Sequence, residues 1–440
     1  MKSNESEVGE LITMKKILVL SFDALGGEDY EYMKNKPVFK AFLEKASTCV
    51  NVTSIYPSVT YACHTSIVTG KLPNNHGIIS NTRFQPQRVN NPDWYWQRKY
   101  VKSDTIYDVA IRAGMTVGAF LWPVTAKSNI NYLIPEIFPN RKWDNQVMTS
   151  LRNGSPLFLL DIFKRYRHLL NGIKQPHLDD FITETVIYTL KEKSPDMMLI
   201  HFTDLDTARH DHGVRSPEAY AAIDRLAVRF EKIIATLKEE NLFDDTIIVI
   251  LGDHFQLDYH TKVPLNHLLK EGGWLSINDN KITDWKVLAK SNGGSAYLYG
   301  TLSPDEQVKL LDFLNELKRN PENGIQHILT GDEAKKLGAD EQCLFMLEAK
   351  VGYVFTDFLG GGEKGKVADH GYDPIEKDNY ATFYAMAGPG VKSGVNIHKM
   401  SLIDIAPTWA KLLNLKLTET DGRVIEEIIK TKDRSFKNEE

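Results

Sequence analysis

The sequence predicts an α/β protein built on a mostly parallel sheet. Short apolar runs, Ile17-Leu18-Val19-Leu20-Ser21-Phe22, Met197-Met198-Leu199-Ile200-His201-Phe202 and Ile247-Ile248-Val249-Ile250-Leu251, read as strands buried on both faces. Helix-like stretches alternate with them, the order expected of βαβ units. Residues able to hold metal stand just after most of these runs, and ligands of open α/β sheets bind beyond the carboxyl ends of the strands.

Taken in order, the first strand ends before Asp23, and residues 36–46 read as a helix. Thr60 opens a second helix that Gly70 stops. Residues 104–114 are helical and 116–122 form a strand. Apolar positions at helical spacing over 178–193 lead to the strand ending near Phe202. Helix 217–240, with Ala221, Ile223, Leu226, Phe230, Ile233, Ile234 and Leu237, leads into a strand at 246–251. A late strand at 380–387 precedes Gly388-Pro389-Gly390, and a final helix runs from Ser401 to about Leu413.

Between His254 and His370 the rhythm changes to a short strand at 295–300, a helix at 303–318 and a Gly-rich stretch at 360–365. The domains expected are a core of 15–259 and 366–430, an α+β insertion of 260–365 overhanging the site as a cap, and a disordered extension of 1–14. Residues 142–177 read as a second insertion with little chemistry, and the tail after Thr431 is charged.

Composition is that of a soluble globular protein, 42% hydrophobic and 25% charged. A net charge of −5 gives no reason to expect a stable nucleic-acid partner or a membrane surface. No segment approaches the roughly 20 apolar residues that span a bilayer, and the polar N-terminus lacks a signal-peptide core. Cys49, Cys63 and Cys343 make neither a disulfide framework nor a CxxC site, so a cytoplasmic location is expected.

The residues able to hold metal are Asp23, Thr60, Asp206, His210, Asp253, His254 and His370. Oxygen and nitrogen donors without thiolate suit zinc, manganese or a similar divalent ion. Asp206 and His210, four apart, share a face if that segment is a helical turn. Adjacent Asp253 and His254 cannot point the same way from a strand, so they belong on the loop after Gly252. A threonine entering a helix is commonly only its N-cap. A hydroxyl there also has the positive helix end beside it, which favours a phosphate. It is a poor nucleophile until a base or metal takes its proton.

The stretch from Tyr56-Pro57-Ser58-Val59-Thr60-Tyr61-Ala62-Cys63-His64 through Ser66-Ile67-Val68-Thr69-Gly70 to His76-Gly77-Ile78-Ile79-Ser80-Asn81 closely resembles the nucleophile segment of the nucleotide pyrophosphatase/phosphodiesterase family. That family belongs to the alkaline phosphatase superfamily. Asp23, Asp206-Thr-Ala-Arg-His210, Gly252-Asp253-His254 and Asp369-His370-Gly371 follow in family order. Leu121-Trp122-Pro123 and Asp404-Ile-Ala-Pro-Thr408 add weaker matches, so the resemblance covers 15–415. It implies an alkaline-phosphatase-like three-layer α/β/α sandwich with an inserted α+β cap.

The resemblance further implies two divalent metal ions, zinc first and manganese as the alternative. Asp206, His210 and His370 would hold one; Asp23, Asp253, His254 and the Thr60 oxygen would hold the other. Three carboxylates then set −3 against +4, leaving positive charge for a phosphoryl group. Thr60 would attack phosphorus, a phosphorylated Thr60 would form, and water would release it. Asn81 and helix-terminal N–H groups would hold a non-bridging oxygen, and Tyr61 would pack on a nucleobase. The expected substrate is a small phosphodiester or nucleotide; no oligomeric state is implied.

Within the superfamily, a sulfatase would need a C/S-x-P-x-R arrangement, and here Ala62 replaces the proline and His64 the arginine. No arginine stands beside Thr60 to grip a monoester, which favours a diester. Phosphonoacetate hydrolases, phosphomonoesterases and a non-catalytic nucleotide-binding protein are the competing readings. The Trp94-Tyr95-Trp96 cluster is a candidate wall for the leaving-group pocket, and His64, His76 and His212 read as supporting residues.

Overall fold

A computed structural model describes residues 15–357, 359 and 366–431. The expected extension 1–14, the Gly-rich stretch 360–365 and the tail beyond 431 lie outside the described residues. The apolar runs form an eight-stranded sheet of β1 (Lys16–Phe22), β2 (Ser47–Thr53), β3 (Val117–Phe120), β4 (Tyr132–Ile134), β5 (Met197–Phe202), β6 (Thr246–Leu251), β7 (Thr382–Ala387) and β8 (Met400–Ser401). Their spatial order is β8-β2-β7-β6-β1-β5-β3-β4. β1 pairs in parallel with both β5 and β6, and only β7 runs against its neighbours β2 and β6. The fold is the α/β/α sandwich expected.

Alternation along β1 explains the three layers, because successive side chains point to opposite faces. Ile17 and Val19 join a core with the helices Thr60–Thr69, Ile106–Arg112 and Ile405–Leu412. Leu18, Leu20 and Phe22 join the other, with the helices Pro37–Leu43, His177–Glu192 and Pro217–Glu239. The strand expected over 116–122 stops at Phe120, where Leu121 takes a left-handed φ of 56° and turns the chain.

Past β6 the chain builds smaller sheets. A four-stranded antiparallel sheet contains Val287–Ser291, Ser295–Gly300, Phe345–Ala349 and Ile325–Thr330. The strand Leu257–Pro264 crosses the boundary expected at 260 and pairs with Gly352–Thr356 and Ala368–Asp369, which returns the chain to His370. The second insertion supplies two helices, Gln146–Asn153 and Pro156–Tyr166.

A buried ion network anchors the helix after β5. Asp204 opens the helix Asp204–His212, is 2% exposed, and accepts from Arg225 and from Arg229 at 2.8 Å. Asp204→Ala would leave Arg229 with Asp180 at 2.9 Å and, farther off, Asp179 at 3.8 Å. The variant should lose about 3 kcal/mol, the low end for breaking a buried pair, seen as a lower midpoint in urea unfolding monitored by circular dichroism.

Candidate active site

Four loops at the carboxyl edge of the sheet meet at one point. Asp23 follows β1, Thr60 begins the helix after β2, the Asp206 helix follows β5, and Asp253 and His254 follow β6. His370 arrives from the strand Ala368–Asp369. Gly252 makes the β6 loop possible: a Cβ there would lie 1.9 Å from the Leu25 carbonyl oxygen. Gly371 has φ +89° and packs on the Asn292 backbone, with a would-be Cβ 1.7 Å from its oxygen.

Thr60 is the first residue of its helix, not the N-cap. Val59 holds the N-cap position, and the Thr60 Oγ1 lies 3.0 Å from His254 Nε2. The Tyr61 N–H donates to Asn81 Oδ1 at 2.9 Å. That N–H is therefore already satisfied by the Asn81 side-chain oxygen. His64, one turn along, lies 2.8 Å from the Thr60 carbonyl through Nδ1 and 2.9 Å from Ser21 Oγ through Nε2.

Asp23, Asp253 and His254 present donor atoms within 4.8 Å of one another, as do Asp206, His254 and His370, and His210, Asp369 and His370. His254 Nε2 is 3.3 Å from both Asp23 Oδ1 and Asp253 Oδ2. Asp206 Oδ1 is 3.4 Å from His210 Nε2 on the same helix face. His210 Nδ1 meets the Ala368 carbonyl at 2.7 Å, which leaves Nε2 as the donor toward an ion. Asp369 joins this group although the sequence reading gave it no role.

These residues fit divalent ions by their own chemistry. Asp23 Oδ1, Asp253 Oδ2, His254 Nδ1 and His370 Nδ1 are buried without a hydrogen-bond partner, a costly arrangement for polar atoms unless something else meets them. Burial, then the neighbouring Asp206 charge, pushes the Asp23 carboxyl up to about 7. Burial and Asp23 push Asp253 well above the carboxylate range. Burial also holds His370 down to about 4 and His254 well below the usual imidazole value. Crowded carboxylates beside neutral imidazoles are what a cation would relieve.

Supporting residues surround this group. His201 is fully buried, its Nε2 3.0 Å from Asp23 Oδ2 and its Nδ1 3.1 Å from the Leu121 carbonyl. A polar ring inside an otherwise apolar strand was the signal that could have found it, since a buried imidazole needs partners. Gln256 Nε2 donates to Asp206 Oδ1. Ala24, left-handed at φ 64°, donates its N–H to Asp253 Oδ1 at 3.2 Å. Buried Arg209 holds that turn by donating to the Ala24 carbonyl and pairing with Asp29 at 2.6 Å. His76 is buried against Ser66, and His212 is exposed.

A cavity of about 870 Å³ opens from these residues, lined among others by Asp23, Thr60, Asn81, Asp206 and His370. Trp94 also lines it, but Tyr95 and Trp96 do not. Tyr61 is wholly buried and edge-on to Trp94, with ring centroids 5.1 Å apart. Both rings line the cavity, and Trp94, half-buried, is the more exposed of the two.

Comparison with known proteins agrees with this geometry. A family model described as type I phosphodiesterase / nucleotide pyrophosphatase matches residues 17–373. Human ectonucleotide pyrophosphatase/phosphodiesterase family member 5 is 23% identical over 419 residues, covering 93% of this chain and 76% of that protein. A venom phosphodiesterase of Crotalus durissus collilineatus is 23% identical over 425 residues, with 89% of this chain and 44% of that protein covered. The solved structure of murine ectonucleotide pyrophosphatase/phosphodiesterase 5 superposes with a TM-score of 0.69 at 18% identity, over 94% of this chain and 100% of that one. An inactive variant of that murine protein, solved in complex with AMP, gives the same score. With the motifs in order, the strand-edge carboxylates and imidazoles assembled and most of the chain matched by the family model, this protein belongs to the type I phosphodiesterase/nucleotide pyrophosphatase family of hydrolases.

Proposed function

We propose that this chain hydrolyses a phosphodiester or phosphoanhydride bond of a small-molecule or nucleotide substrate, with Thr60 as the nucleophile. The observation that carries the proposal is the Thr60 hydroxyl, 3.0 Å from His254 Nε2 at a helix start, within the cluster of candidate ligands. Asp206, His210 and His370 would hold one divalent ion, and Asp23, Asp253, His254 and Thr60 a second; zinc suits the donors best, manganese next. Such ions supply positive charge that favours an ionised Thr60 and offsets the charge of the phosphoryl oxygens.

The remaining steps belong to the protein's own residues. The Thr60 oxygen forms a bond to phosphorus as the bond to the leaving alcohol or phosphate breaks in line. The resulting phosphothreonine is opened by water from the opposite side, returning the hydroxyl. Asn81 donates its amide N–H to a non-bridging oxygen, a contact most useful where charge builds in the transition state. The 260–365 module acts as a cap in this proposal, supported by Lys262, Asn292 and Asp357 on the cavity wall. Among the described residues no helix is long and apolar enough to cross a membrane. Three free, buried cysteines support the cytoplasm as the compartment proposed.

The test is a set of initial rates, with zinc and then manganese, on bis-p-nitrophenyl phosphate, thymidine monophosphate p-nitrophenyl ester, p-nitrophenyl phosphate and phosphonoacetate. Both diesters should be turned over faster than the monoester and the phosphonate, by about tenfold or more, since among the described residues no arginine lines the cavity to clamp the extra charge. Preference for the monoester or the phosphonate would overturn the substrate class.

A further inference from the structure

Asn292 is a buried amide that the chemistry above leaves unused. Five side chains on the cavity wall have a buried polar atom without a hydrogen-bond partner among the described residues: Asp23, Tyr61, Glu136, Asn292 and His370. The proposed ions account for Asp23 and His370. The Tyr61 hydroxyl and the Glu136 carboxylate stand beside each other. Of these five, Asn292 is the one with two such atoms, Oδ1 and Nδ2, and it is only 7% exposed. Buried polar atoms are normally paired, so this amide calls for a reason.

Turn chemistry does not supply one. Asn292-Gly293-Gly294 joins the strands Val287–Ser291 and Ser295–Gly300. Asparagine suits turns when its side chain bonds nearby backbone or when its φ is positive. Here the side chain bonds nothing and the φ is not positive. The backbone fixes the residue instead. Its N–H donates to the Ser295 carbonyl at 2.8 Å, and the Gly294 N–H donates to the His370 carbonyl at 2.8 Å. Gly293, at φ +79°, permits that approach, since a Cβ there would lie 2.5 Å from the His370 oxygen. The turn is thus seated on the segment that carries His370, with the Asn292 amide on the cavity wall. Nearby charges are already matched: Lys290 lies 3.7 Å from Asp357, which also accepts from the Ser291 N–H at 3.1 Å.

We infer that Asn292 determines specificity by binding a hydroxyl or amide group on an alcohol of the substrate, beyond the phosphoryl group. The inference rests on the phosphodiesterase reading above and adds a recognition residue to it. The ligand chemistry follows from the two unpaired atoms, one a donor and one an acceptor. A phosphoryl oxygen only accepts, and would leave Oδ1 buried and unpaired. A hydroxyl or a primary amide donates and accepts, and so meets both atoms.

The test is isothermal titration calorimetry on the zinc-loaded Thr60→Ala protein with butyl, 3-hydroxypropyl and 2-carbamoylethyl phosphates. These ligands share the phosphoryl group, so a preference among them reads the far end. The hydroxyl or the amide ligand should bind about tenfold more tightly than butyl phosphate, the scale of one or two net hydrogen bonds. Whichever binds more tightly identifies the substituent. Adding Asn292→Leu, of similar shape, should erase the preference and leave butyl phosphate within about threefold of its former affinity. Asn292→Ala, which only truncates the side chain, repeats the comparison. The thermal midpoint of the metal-free protein should be no lower in Asn292→Leu, because two unpaired buried atoms leave with the amide. A clearly lower midpoint would make the amide a structural partner and overturn the inference. Equal binding of all three ligands, with diesters still hydrolysed by the wild type, would overturn it and leave the phosphodiesterase reading standing. A preference erased by Asn292→Leu, with no diester hydrolysed by the wild type, would support the site and sink that reading instead. A preference that survives both variants, or an equal loss for all three ligands, would put the contact elsewhere and overturn the assignment.

Discussion

Thr60→Ala should lower kcat on any diester by about 10⁴-fold or more, the scale seen when a nucleophile acting with its partners is removed. The side chain is 8% exposed and its hydroxyl faces His254, so its loss removes the proposed attacking atom and little packing. Six of the seven proposed metal ligands remain in place, so metal content should change far less than rate. Stopped-flow hydrolysis and metal analysis on the same sample make the comparison. A variant that keeps more than about a tenth of the wild-type rate would sink Thr60 as nucleophile. Thr60→Ser, which restores a hydroxyl, should recover a measurable part of the rate.

Asp253→Asn should lower metal content and activity together. Asp253 is fully buried, with Oδ1 on the Ala24 N–H and Oδ2 unpartnered and 3.3 Å from His254 Nε2. An asparagine oxygen can still accept from Ala24, so the loop need not move. What disappears is one of three carboxylate charges among the proposed ligands, and metal affinity should fall about 100-fold or more. The metal-free variant should meanwhile be at least as stable as metal-free wild type, because a buried carboxylate with no counterion is itself unfavourable. Metal analysis after dialysis, thermal unfolding and rates before and after EDTA read all three quantities. Activity in the wild type should vanish with EDTA and return with zinc or manganese. Full metal occupancy in Asp253→Asn would show the ligand to be misassigned, and activity surviving thorough chelation would sink metal dependence altogether.

Much of the framework was legible because buried strands and amphipathic helices carry strong periodic signals. Strands expected at 246–251 and 295–300 are found at Thr246–Leu251 and Ser295–Gly300. Helix 217–240 is found as Pro217–Glu239. Boundaries moved where local backbone intervened, as at Leu121. The candidate ligands were legible because each stands next to a recognisable run or block. His201, Glu136, Arg209 and Asp369 were not assigned, because their meaning depends on segments far away in sequence. Glu136, for instance, reaches His201 across 65 positions, 3.4 Å away. That Leu159, Leu160 and Phe163 line the cavity was not legible either, because they lie in the insertion read as holding little chemistry and what they face depends on distant segments.

The reversed strand β7 has a consequence for how this chain must be made. β2, which leads into the Thr60 helix, pairs in the sheet only with β7 and β8. Both arrive after residue 380, whereas the remaining sheet strands, β1, β3, β4, β5 and β6, are all complete by Leu251. During synthesis β2 therefore waits for more than three hundred residues without its sheet partners. β1, β5 and β6 can pair early, but the sheet closes on the Thr60 side only when β7 slides between β2 and β6. An emerging chain thus exposes both edges of β2 for most of its time on the ribosome, where chaperone cover would matter most.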